Sequence, residues 1–576
     1  MPSRIEDYAV IGNRETIALV GRDGSIDWLC LPRFDSASCF SALLGEPKNG
    51  RWLIAPQDAE VRTTRRYRGS TLILETEFRT EQGAVCLTDF MVRRDGASDL
   101  VRTVRGLQGE VAMRMELVVR FGYGAVTPWV SRQDDGRLQF VAGPDRLLLD
   151  TNVPTRGEDF RTLSDFSVGA GQEIIFALNW SPSFRDSPAP LQSKEALQQI
   201  DSFWSEWSAM FTPSHPWDDA VLRSLLTLKA LAHWETGGIV AAGTTSLPEK
   251  AGGERNWDYR FCWLRDATFT LLALTGAGFL DEAKAWHQWL LRAVAGSPDE
   301  VQTMYGVAGE RRLDEFEVPW LSGYEGAKPV RIGNAAVQQL QLDVYGEVLD
   351  AFYVARRAGL VTGEETWALE CALVSHLETI WREPDDGIWE VRGGRKQFTH
   401  SKVMTWVAFD RAVRSIEEFG LEGPLERWRS VRSDIHNEVC QKGFDPDQNA
   451  FVQSFGGKAL DASLLLIPQV GFLPPEDPRV KERSPQSSAS LSRTASSCVT
   501  TREPERTGFR QGKAHFWPAA SGWRTTTPCS AGTTTRRRCS SGFWPCETTS
   551  GCSPKNTIRP HGASSAISPR PSPISR

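Results

Sequence analysis

Trp389 and Glu390 stand side by side in Ile388-Trp389-Glu390-Val391-Arg392-Gly393-Gly394, which Phe398-Thr399-His400-Ser401-Lys402 follows. A carboxyl beside an indole is partly desolvated, which raises its pKa and suits it to donate a proton. Taken alone, such a pair is more often a solvated glutamate next to a core tryptophan. Two further stretches are dense in groups that bind polyols. The first is Thr244-Thr245-Ser246-Leu247-Pro248-Glu249, continuing at Asn256-Trp257-Asp258-Tyr259-Arg260-Phe261-Cys262-Trp263-Leu264-Arg265-Asp266. The second runs from Tyr324-Glu325-Gly326 to Arg331-Ile332-Gly333-Asn334. Adjacent Arg and Asp clamp vicinal hydroxyls through charge-assisted hydrogen bonds, and they equally build structural salt-bridge clusters. Asp266, at the start of an apolar period, also reads as a helix cap.

The surrounding pattern says what must position these groups. Apolar periods at residues 367–381 and 403–416 place Glu390 on a loop between two helices, after the turn Glu383-Pro384-Asp385-Asp386-Gly387. Loops at helix ends are where scaffolds present chemistry. From residue 1 to about 195 the pattern is β. Val111, Met113, Met115, Leu117, Val119 and Phe121 alternate with polar or small residues, and short apolar runs at 72–78, 85–92, 147–149 and 174–178 are divided by turns such as Asp134-Asp135-Gly136. Regular short strands without helices between them predict an antiparallel β-sandwich. Asp23-Gly24 predicts a hairpin whose Asp27-Trp28 either faces a site or caps a turn. A linker helix is expected over 196–215. Helices follow at about 266–277, 281–295, 334–358, 363–381, 401–419, 424–441 and 460–468, with Trp217, Val221, Leu225, Leu228 and Ala232 on one helical face before them. Consecutive helical hairpins predict an all-α array or toroid over 216–482.

The chain has 576 residues, 40% hydrophobic and 24% charged, with net charge −6. That supports two or three domains and gives no reason to expect nucleic acid or an anionic membrane as partner. The 21 tryptophans hint weakly at carbohydrate. No basic leader followed by an apolar core and no bilayer-length apolar run occurs. Cys30, Cys39, Cys86, Cys262, Cys371 and Cys440 lack metal-type spacing and read as reduced core thiols of a cytoplasmic protein. No phosphate-binding loop, HExxH or GxSxG is present, so neither metal nor cofactor is expected. A homo-oligomer is compatible with the sequence, which does not specify one.

With Asp23-Gly24-Ser25-Ile26-Asp27-Trp28, Asn256-Trp257-Asp258-Tyr259-Arg260, Trp263-Leu264-Arg265-Asp266, Gly323-Tyr324-Glu325-Gly326 and Trp389-Glu390 assembled, the chain resembles glycoside hydrolase family 15 over residues 5–480. The resemblance is to the glucoamylase and trehalase-like enzymes, in particular the bacterial branch with a trehalase-like N-terminal domain. It implies an N-terminal β-sandwich, an (α/α)6 barrel and inverting hydrolysis of α-glucosidic bonds, with trehalose or maltooligosaccharide as substrate. It makes Glu390 the general acid and gives Arg265 and Asp266 the terminal glucose. Trp263, Trp257, Arg331 and Asn334 would line the pocket.

Inversion needs a second carboxylate, roughly 6.5–9.5 Å from the acid, to activate water. In the family it lies in a C-terminal loop of the type Glu-Glu-Tyr-Asp-Pro, and this chain has none. From Ser484 to Arg576 there is no Asp; Ser, Thr, Pro and Arg dominate, yet Trp517, Trp523, Trp544 and five of the 11 cysteines fall there. Stepping back one nucleotide lets the codons of Gly551 to Arg559 read Gly-Leu-Leu-Ala-Glu-Glu-Tyr-Asp-Pro. The same step turns Lys513 to Thr527 into an apolar helical segment. Residues 483–576 therefore read as a frameshifted, disordered tail. The barrel is expected to be incomplete, with Lys555 and Asn556 near the lost base. Three activities follow as alternatives: a hydrolase, a non-catalytic sugar-binding protein, and a phosphorylase, which needs an anion site; His400 and Lys402 lie near Glu390 in sequence but read rather as supports of the loop.

Overall fold

A computed structural model describes residues 2–58, 60–360, 363–391 and 393–481. The tail expected over 483–576 lies outside the described residues.

The first part is an antiparallel sheet system organised on one long strand, Ala97–Val118. Its first half pairs with Gly83–Arg94 and Glu173–Pro182; its second pairs with Arg51–Pro56 and Arg161–Gly169. The strand changes partners at Gly106 to Gly109. Gly109 has φ +64°, and a Cβ there would lie 2.0 Å from the Gln82 carbonyl oxygen, so no side chain fits. Trp52, Ile54, Met113 and Met115 from one half share a core with Phe78, Leu87, Leu100 and Phe176 from the other. The alternation at 111–117 is buried as expected, and the predicted runs become Leu74–Arg79, Gly83–Arg94, Asp145–Thr151 and Glu173–Pro182. Asp23-Gly24 turns between Ile17–Gly21 and Ser25–Cys30.

Helices then dominate: Ser193–Ser208, Asp218–Ala230, Leu264–Gly276, Leu280–Ala293, Asp343–Arg357, Glu364–Ile380, Thr399–Phe419 and Leu425–Lys442. Three differ from expectation. The helix predicted from 196 to 215 ends at Ser208, and Pro213 and Pro216 follow, each lacking a backbone donor and fixing φ. The one predicted from 334 begins only at Asp343, because neighbouring carboxylates capture the backbone N–H groups before it. Asp386 takes that of Leu340 at 2.9 Å and Asp385 that of Leu342 at 3.0 Å. The one predicted at 460–468 is a short 3-10 turn, Ala462–Leu466, ahead of Pro468. On the Asp218–Ala230 helix Leu225 and Leu228 are buried, whereas Trp217 is exposed at its N-cap.

Thr399–Phe419 is buried along most of its length and packs between Asp343–Arg357 and Leu425–Lys442. The first contact is tight: a Cβ on Gly346 would come within 2.1 Å of the Met404 carbonyl oxygen. Sheet and helices share a core. Trp28 is fully buried and donates its indole N–H to Gly243 O at 2.8 Å, and Arg260 reaches Ser36 O and the Tyr123 hydroxyl. Asp27 accepts from Tyr8 and Ser25 within the sheet region, so of the pair it is Trp28 that bonds across to the helical region. No helix among the described residues is long and apolar enough to cross a membrane.

Candidate active site

Glu390 sits in a turn between Glu364–Ile380 and Thr399–Phe419. The loop closes on itself through paired Asp385–Lys396 backbone hydrogen bonds and docks on the 340 segment through Asp386 N–H to Leu340 O, 2.8 Å. Glu390 itself has φ +52°, a left-handed backbone that costs a residue with a Cβ on the order of 1–3 kcal/mol and persists only where the surroundings hold it.

Two groups from the start of Leu264–Gly276 meet its carboxylate. Trp263, the N-cap residue, donates its indole N–H to Glu390 Oε1 at 2.9 Å. The Arg265 guanidinium lies 3.6 Å from the same oxygen. Arg265 is fixed from behind by Gln341 at 2.8 Å and by buried Asp343 at 3.0 Å. Asp266, one residue on, is partly exposed and feels the Arg265 charge. The Glu390 side chain keeps 19% of its surface open. Burial pushes its pKa above the ordinary carboxyl value, more strongly than Arg265 and the Trp263 N–H pull it down. Burial also raises Asp266, against Arg265. The arrangement is a carboxyl of raised pKa at a partly open surface, beside a fixed cation and a second carboxyl.

The sequence profile of Glycosyl hydrolases family 15 matches residues 216–506, and that of the trehalase-like N-terminal domain matches 1–154. Trehalase from Mycobacterium tuberculosis is 37% identical over 510 residues, covering 83% of this chain and 74% of the relative. Trehalase from Thermoplasma volcanium is 34% identical over 483 residues, covering 82% and 77%. The chain belongs to glycosyl hydrolase family 15. Among solved structures, a bacterial glucoamylase complexed with acarbose superposes with TM-score 0.59 at 12% identity, over 84% of this chain and 77% of the other. That likeness speaks to the fold: an antiparallel sheet region followed by a helical one.

In this family 15 chain, Glu390, Arg265, Asp266 and Trp263 come together, and three other sequence candidates are occupied by loop structure. Asn334 is 1% exposed and so lines no pocket; its amide donates to Asp258 O at 3.2 Å and accepts from Ala336 N–H at 3.0 Å. Arg331 lies 4.4 Å above the Trp257 ring and donates to Glu254 O at 2.9 Å, with Glu315 3.8 Å away, which ties two loops together. Trp257 is the platform for that stack. Asp258 and Arg260, from the same polar stretch, form a fully buried ion pair at 2.7 Å.

The indole against Glu390 is Trp263, not the neighbouring Trp389. The Trp389 N–H goes to Asp461, 2.9 and 3.1 Å from its two oxygens. Lys402 donates to Trp381 O at 2.5 Å and Glu383 O at 2.6 Å, at the C-terminal end of Glu364–Ile380 where carbonyls favour a cation. Burial lowers its pKa to about 8. His400 is 3% and Lys402 1% exposed, so neither side chain is open to an anion at the surface; burial lowers the His400 pKa as well. Gln341, Asp343 and Asp461 were not candidates in the sequence. Asp461-Ala462-Ser463 before a leucine run is a cap signal, but nothing local links it to Trp389.

Proposed function

We propose that this chain is built to hydrolyse α-glucosidic bonds by inversion, with trehalose as its substrate ahead of maltooligosaccharides. The observation that carries this reading is the Glu390 carboxyl, raised in pKa by burial yet held by Trp263 and Arg265. Glu390 donates its proton to the bridging oxygen as the bond to the anomeric carbon breaks. Arg265 and Asp266 hold hydroxyls of the terminal glucose, with Gln341 and Asp343 fixing the guanidinium. The trehalases among its relatives support the choice of substrate. The architecture in this reading is an N-terminal sandwich over residues 1–195 and an (α/α)6 barrel beginning near 216. Translation leaves the ancestral frame near residue 483 and so loses the base loop. The six cysteines among the described residues are free thiols, consistent with a cytoplasmic location.

A second reading, a sugar-binding protein without turnover, is favoured by one observation. Among the described residues, Asp343, Glu347 and Asp385, three carboxylates at this end of the helices besides Asp266, are 0–2% exposed and out of reach of a water above a sugar. The two readings separate on trehalose in phosphate-free buffer with and without azide, an anion that needs no deprotonation to attack the anomeric carbon. A hydrolase lacking only its base forms β-glucosyl azide and glucose. A binding protein forms neither. Sequencing the gene around codons 480–484 tests the frame; a frame confirmed through Arg576, with unaided activity, overturns the frameshift.

A further inference from the structure

Trp389 adjoins the proton donor but does not touch it, and the partner of its indole is a carboxylate far along the chain. Asp461 is 7% exposed and accepts from four donors: Trp389 Nε1 at 2.9 Å, Gln453 Nε2 at 3.0 Å, and Ser463 N and Oγ, each at 2.8 Å. A carboxylate shut away from water needs its lone pairs satisfied. Here donors occupy both oxygens. An asparagine could not replace it, because its amide nitrogen would face a donor whichever way it lay. The anchor is itself rigid: Gln453 O accepts from the N–H of Thr399, the first residue of the buried central helix, at 2.9 Å.

We infer that Asp461 is a positioning residue for Glu390, acting through the Trp389 indole. The inference rests on Glu390 being the acid. Residue 390 holds a left-handed backbone in a turn whose other backbone ties, Glu390 N–H to Gly387 O and Val391 N–H to Asp386 O, are each 3.1 Å. A turn so strained stays in place only if its side chains are pinned. Trp263 and Arg265 hold the side chain of residue 390, and Asp461 holds that of residue 389. Releasing Trp389 lets the turn relax and carries the carboxyl off its mark, where a small displacement is enough to lose its alignment.

The test is calorimetric titration of the full chain at pH 7 with 1-deoxynojirimycin, a glucose-shaped amine whose cation pairs with Glu390, and with glucose, which is held through its hydroxyls by Arg265 and Asp266. Glu390→Gln is expected to weaken the amine about ten- to a hundredfold, the worth of one charge-assisted hydrogen bond. Asp461→Asn and Trp389→Phe are each expected to weaken it by about three- to tenfold with glucose affinity unchanged, and the double variant to be no worse than either single one. Amine affinity unchanged in both variants overturns the inference. Equal losses for amine and glucose also overturn it, because they mark general loosening. An unchanged Glu390→Gln overturns instead the assignment of the acid, and the inference with it. Should Asp461→Asn fail to fold, Trp389→Phe, which removes one N–H and keeps the ring, gives the same reading alone.

Discussion

At the residue scale, Glu390 is governed by opposed influences, and the largest is loss of solvent. Trp263 stabilises the ionised form by its N–H, so Trp263→Phe takes away a restraint on the pKa. The carboxyl then stays protonated to higher pH. The basic limb of the pH profile for azide-dependent turnover is expected to move upward, whereas a purely structural defect would lower the whole profile without moving it. This partner was not readable from the sequence. Glu390 and Trp263 are 127 positions apart, and the residue types gave Trp389 as the nearer candidate. A turn at φ +52° sends neighbouring side chains to different partners, which no spacing rule anticipates. Arg265 and Asp266 were legible because they open a helix whose apolar period is plain.

At the scale of elements, the docking of the Glu390 loop depends on Asp385, whose Oδ2 accepts from Leu342 N–H at 3.0 Å. Burial, reinforced by the Asp343 charge, raises its pKa to about 7. Between the ordinary carboxyl value and about 7 the folded chain therefore holds a proton that the unfolded chain has lost, so stability falls as pH rises through that window. Asp385→Asn keeps the acceptor and removes the titration. Urea midpoints at pH 5 and pH 8 are expected to fall less with rising pH in the variant than in the parent; equal slopes would contradict the raised pKa of Asp385. The same capture of N–H groups explains why the helix predicted from 334 begins at 343. Periodicity found the other long helices because each buries one apolar face. A backbone donor claimed by a distant carboxylate leaves no trace in that pattern.

At the scale of the whole molecule, the sheet and helical regions are one packed body where Trp28 meets Gly243. Trp28→Phe keeps most of the ring and strands a buried carbonyl. It is expected to cost about 1–3 kcal/mol in denaturant unfolding. The regions themselves were legible: alternation of period two before residue 195 and helical period after it. Their junction was not, since Asp27-Trp28 resembles any turn end. The central claim is that Glu390 protonates the leaving sugar in a chain that lacks the means to activate water. The most direct measurement follows trehalose by proton NMR with the parent chain and Glu390→Gln, each with and without azide. The account predicts β-glucosyl azide and glucose from the parent only when azide is present, and neither from the variant, a loss on the order of 10²–10⁴-fold. Equal azide-dependent turnover by Glu390→Gln, or a product of α configuration, would contradict it.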